Sequence, residues 1–222
     1  MFKKIITIIL CICACAAFVS CSDVVDVKSN EYGFDDAETG IGYVMCGKAV
    51  FAIKVGKVYA EDERGNEYCE IQHEDPTRFL CANDTDLPYV YRAKDEPEIT
   101  MENFNPVAAF LSLNGETVID QFTAEPIYTG DENAQDDSEY TYAIRDAINN
   151  SDPVLETAPS SSEMNTSFTA FIMLVSKDYP GLYYDVVFWR DLNGVNYIMD
   201  KNTNFSYLCP YKVTARLWES AQ

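Results

Sequence analysis

The chain has one histidine, His73, and only 16 lysines and arginines against 36 aspartates and glutamates, a formal charge of -20 over 222 residues. Cations are what displace the counterions of a phosphate backbone, so their scarcity excludes nucleic acid as a partner. A single histidine leaves histidine-dependent chemistry one base and no spare. No serine lies in G-x-S-x-G, the glycines of Gly40-Ile41-Gly42 have no phosphate-cradling continuation, and no P-loop or dinucleotide fingerprint occurs. The acidic run with Asp131, Glu132, Asp136, Asp137 and Glu139 lacks the ligand order of a calcium loop and reads as solvated. Cys69, His73 and Cys81 make a poor zinc set, because Cys-x3-His shares a face only on a helix and Cys69 lies in a strand-like run. No cofactor and no metal is expected.

What is abundant is apolar and aromatic surface: 47% hydrophobic residues, with 12 Phe, 15 Tyr and 2 Trp. That is enough to bury a core despite the charge. At the start, Lys3 and Lys4 precede residues 5–19, apolar except for Thr7, and no acid appears before Asp23. The run is shorter than the roughly 18 apolar residues that cross a bilayer, so residues 1–20 read as a signal peptide.

The residues that follow carry a resemblance. Phe18-Val19-Ser20-Cys21 resembles the lipobox of bacterial lipoproteins, with Phe18 where leucine is usual; Ile12-Cys13-Ala14-Cys15 is a poorer second match. The resemblance implies that the Cys21 thiol is acylated and that the protein sits at a cell membrane by this lipid anchor alone, on the extracytoplasmic face, in the periplasm or at the cell surface. The alternative is an ordinary secretory signal cut after Ala14-Cys15-Ala16. Beyond the leader the sequence resembles no characterised family.

Residues 21–40 are rich in acids and read as a tether. Residues 41–127 alternate in short β-branched and aromatic runs, with Asn114-Gly115 a hairpin signal, and read as a β-rich domain. An acidic linker is expected over 128–139, then an α+β domain over 140–222: a helix carrying Ala143, Ile144, Ala147 and Ile148, three strands over 168–175, 182–190 and 195–200, and a closing helix burying Val213, Leu217 and Trp218. The fold class expected is therefore α+β, a mainly antiparallel β N-terminal half followed by an α-β-β-β-α C-terminal half. Of eight cysteines, Cys46, Cys69, Cys81 and Cys209 lie beyond Cys21. An oxidising compartment allows two bridges among them, and the turn at Asp75-Pro76 makes Cys69 and Cys81 the expected disulfide, with buried free thiols the alternative.

No catalytic constellation stands out. Tyr183, Tyr184, Phe188 and Trp189 share a strand, but neither of its faces is purely aromatic, so they read as core. The functional expectation is a lipid-anchored, non-catalytic binding module of the bacterial envelope, its partner an envelope protein or a glycan. The rival is a hydrolase of glycosides or similar substrates that uses paired carboxylates.

Overall fold

The structure, a computed structural model, describes residues 24–29, 32–84, 88–112, 118–123, 138–165 and 169–220. Its first half is a closed barrel. β1 (Val25–Ser29), β2 (Gly33–Asp36) and β3 (Gly42–Met45) form an antiparallel run that continues through β8 (Val90–Ala93), β7 (Phe79–Ala82), β6 (Glu67–Ile71) and β5 (Val55–Asp62). Parallel pairing of β1 with β5, with Val25 opposite Ala60 and Val27 opposite Asp62, closes the circle. Alternation does the sorting: Val27, Phe34, Tyr43, Ala60, Tyr68, Leu80 and Ala93 point inward and fill the lumen with side chains.

The other face of several barrel strands is equally apolar. Cys46, Cys69, Ile71, Phe79, Cys81 and Val90 point away from the lumen into a second, larger core. Opposite them stands a seven-stranded sheet in the order β10 (Val118–Thr123), β9 (Pro106–Ser112), β11 (Ala170–Ser176), β12 (Leu182–Arg190), β13 (Asn196–Asp200) and β14 (Ser206–Leu208), with β4 (Val50–Ala52) also paired to β12. Leu111, Ile172, Leu174, Tyr184, Val186, Phe188 and Ile198 supply its side of that core. The helices α1 (Met101–Phe104), α2 (Ser138–Asn150) and α3 (Tyr211–Ser220) add Met101, Phe104, Ile144, Ile148, Val213 and Leu217. No helix among the described residues is long and apolar enough to cross a membrane.

This corrects the expected class. The chain is not α+β with an α-β-β-β-α half; the described residues are mostly strand, arranged as a closed barrel and a second sheet, with three short helices. The helix over 140–149 and the three C-terminal strands occur where the periodicity places them, as α2, β11, β12 and β13. They build no separate half, because β4, β9 and β10 come from the first 123 residues and complete the same sheet. Local periodicity reports an element's type and buried face, and a remote strand pairing leaves no local trace. The Trp218 side chain and the acidic run before Ser138 lie outside what can be described of the chain.

The acid-rich stretch expected as a tether holds two strands. Val27 and Phe34 are buried in the lumen, while Asp36 folds back onto its own turn. Acids at the intervening positions masked a strand alternation that is complete in Val25, Val27 and Phe34.

Candidate functional site

Of the residues singled out from sequence, Cys21 lies outside the described residues, as do Asp131, Glu132, Asp136 and Asp137. Cys69 and Cys81 face each other directly across β6 and β7 as buried free thiols. His73 is exposed in the turn after β6 with φ of 74°, away from any described pocket lining. On β12, Tyr184 and Phe188 enter the shared core, and Trp189 stacks on Tyr197 at 4.4 Å with its indole N–H donating to Ser206 Oγ at 3.2 Å. No group of three or more metal-ligating side chains occurs among the described residues.

The abundant aspartates are largely occupied by their own turns. Asp36 accepts from the Glu38 and Thr39 N–H groups, the Thr39 hydroxyl and the Tyr59 hydroxyl. Asp62 accepts from the Arg64 and Asn66 N–H groups and the Asn66 amide. Asp75, Asp191 and Asp200 repeat the pattern at later turns. Burial alone would raise the carboxyls of Asp36 and Asp62, but their hydrogen bonds together outweigh it and hold both below the ordinary 3.8. Such carboxylates are ionised turn staples and poor proton donors. Among the described residues, burial raises two acids: Glu74, which accepts from the Gly181 N–H at 2.9 Å, and Asp185, bound to Lys201 Nζ at 2.6 Å.

Three concave regions stand out among the described residues. A groove of about 580 Å³ between α2 and the β14–α3 junction is bridged by Lys212 and Glu139. A hollow of about 490 Å³ at one end of the barrel is lined by charges that neutralise one another, Arg78 with Glu96 at 3.0 Å and Lys94 with Asp35 at 2.6 Å. The third, about 180 Å³, lies at the opposite end, where β1 and β5 finish and β2 and β6 begin.

This third site, the mouth, has a different character. An aromatic column rises to it: Tyr43 stacks on Phe34 at 4.8 Å, Phe34 lies 3.8 Å from Tyr68, and Tyr91 meets Tyr68 edge-on at 5.2 Å. Tyr68 and Tyr91 line the opening, and Tyr32, 69% exposed, stands at its rim beside Met45. The backbone is drawn tight here, since a Cβ on Gly33 would run into the Tyr43 carbonyl. The turn from β5 to β6, pinned by Asp62, presents Arg64 and Asn66. Arg64 is exposed and makes no ion pair among the described residues, whereas Arg78, Lys94, Lys201 and Arg216, among others, do.

The sequence pattern does not reveal the site, because Tyr32, Arg64, Tyr68 and Tyr91 come from separate segments and meet only when β1 closes on β5. Comparison with known proteins finds nothing similar: no family model fits the sequence, and no curated protein or solved structure matches it.

Proposed function

We propose that the protein is a lipid-anchored, extracytoplasmic binding module, acylated at Cys21, and that it holds a short glycan of the envelope in the barrel mouth. The observation that carries the site is a guanidinium, Arg64, that makes no ion pair among the described residues and stands beside the exposed ring of Tyr32 and the half-buried ring of Tyr91 on a strongly anionic chain. Sugar rings stack their C–H faces on tyrosine, and the Arg64 and Asn66 side chains offer hydrogen bonds for hydroxyls at the rim. Asp62, the carboxylate that lines the mouth among the described residues, is ionised and committed to its turn, which favours binding over acid-assisted hydrolysis.

Two measurements test this. Metabolic labelling with a palmitate analogue should mark the wild type and leave Cys21→Ala unmarked; equal labelling overturns the anchor. Calorimetric titration with an N-acetylglucosamine tetramer should give a saturable heat that Tyr32→Ala and Arg64→Ala each weaken at least tenfold, with the fold unchanged by circular dichroism. Unaltered affinity in both variants removes the mouth as the binding site, and release of free sugar during the titration would restore the hydrolase.

A further inference from the structure

We propose that Cys69 and Cys81 are joined by a cross-strand disulfide when the chain folds in an oxidising compartment, and that this is the sole bridge its four described cysteines form. The register sets the two directly opposite, flanked by Tyr68 opposite Ala82 and Glu70 opposite Leu80. Two residues along, the Asn83 N–H donates to the Glu67 carbonyl at 3.0 Å, which makes the cysteine position a hydrogen-bonded pair. Such pairs hold their α carbons about 5.5 Å apart, inside the span a disulfide tolerates but at the wider of the two antiparallel positions, so the bridge draws the two strands together. Both thiols also point the same way, since Tyr68 and Leu80 fill the lumen while Cys69 and Cys81 belong to the core shared with the second sheet.

The other two thiols have no such partner. The Cys46 N–H donates to the Val90 carbonyl, and Val90 pairs with Cys81. Cys46 is thus two strands from Cys81, roughly 9.6 Å, too far to bridge. Its segment meets the Asn202 end of β13 through the Ala49 N–H, whereas the Cys209 N–H bonds the Asn196 carbonyl at the other end.

Formation is a two-step exchange with an external disulfide, such as oxidised glutathione or a dithiol oxidase. The Cys69 thiolate attacks one sulfur of that disulfide and expels a thiolate. Cys81, giving up its proton, then attacks Cys69 Sγ and expels the second. The two protons end on the leaving thiolates, so two protein thiols are oxidised and one external disulfide is reduced.

Timing follows from burial. Cys69 and Cys81 are 1% and 0% exposed, and burial pushes the Cys81 thiol up to about 12. Neither attack can occur in the finished fold. The bond is made while the β6–β7 hairpin is still open, before the second sheet docks on it, and the redox state set then persists.

The full chain, exported and alkylated in denaturant without reductant, should yield a linked peptide pair containing Cys69 and Cys81, with Cys46 and Cys209 alkylated. Four alkylated thiols, or a link through Cys46 or Cys209, would overturn the proposal. In reduced, folded full chain, Ellman's reagent should leave Cys69 and Cys81 untouched in buffer and modify them at once in urea; rapid modification in buffer refutes the timing. Oxidised wild type should unfold at a higher urea midpoint than reduced wild type, and this gap should vanish in the Cys69→Ala/Cys81→Ala protein. A gap that survives the double substitution refutes the assignment.

Discussion

Asp35 and Asp36 are neighbours with opposite employment. Asp35 is exposed and pairs with Lys94, an interaction worth under about 1 kcal/mol at a surface. Asp36 is 1% exposed and holds two N–H groups and two hydroxyls. Asp36→Ala leaves those donors without their acceptor and is expected to lower stability by about 1–3 kcal/mol, against less than about 1 kcal/mol for Asp35→Ala, measured by urea unfolding. The pH dependence has a definite sign. Asp36 and Asp62 are lowered in the folded state, so their contribution is complete above 3.8 and is lost as pH falls below it through the folded values. Glu74 and Asp185 are raised, so the folded protein gains stability from them as pH falls through their folded values toward the ordinary ones. Unfolding midpoints between pH 5 and 2 should therefore fall steeply at the acid end in the wild type and less steeply in Asp62→Asn. These turn aspartates were partly legible, since Asp75-Pro76 reads as a turn from sequence. That the carboxylates face inward was not, because composition counts charges without their hydrogen bonds.

At the scale of elements, the junction between barrel and sheet rests on a glycine. Gly181, just before β12, donates its N–H to Glu74 and its carbonyl accepts from Ile53. A Cβ there would stand 2.5 Å from the Gln72 carbonyl and 2.9 Å from Ile71. Gly181→Ala should lower stability by about 1–3 kcal/mol through overpacking, without loss of secondary structure by circular dichroism. β1 has a different weight, since it is the only strand joining β2 to β5. Val27→Asp puts a charge in the lumen and should lower stability by more than about 3 kcal/mol, with hydrogen exchange accelerating first at β2 and β5 amides. The runs that became β11, β12 and β13 were readable because each is a nearly continuous stretch of apolar and aromatic residues. β4 and β14 have three residues each, too few for a period to show, and β1 and β2 were hidden by intervening acids.

The molecule as a whole has one large core that belongs to both sheets, containing Cys69 and Phe79 from the barrel and Leu174 and Ile198 from the sheet. Thermal unfolding of the folded chain should be a single transition with coincident near- and far-ultraviolet dichroism; two separated transitions would show that barrel and sheet are independent. A charge of -20 on that body repels itself, so added sodium chloride should raise the melting temperature. Neither shared core nor barrel closure was legible, because both depend on contacts between strands far apart in sequence.

The direction of β1 bears on how an anchored molecule would stand. β1 runs toward the mouth, ending at Ser29 on its rim, so the chain enters the barrel from the far end at Val25. For a protein held by lipid at Cys21, the leash to Val25 is four residue steps, at most about 14 Å when fully stretched. So short a leash keeps the far end against the headgroups and aims the opening outward, toward whatever polymer lies beyond the bilayer.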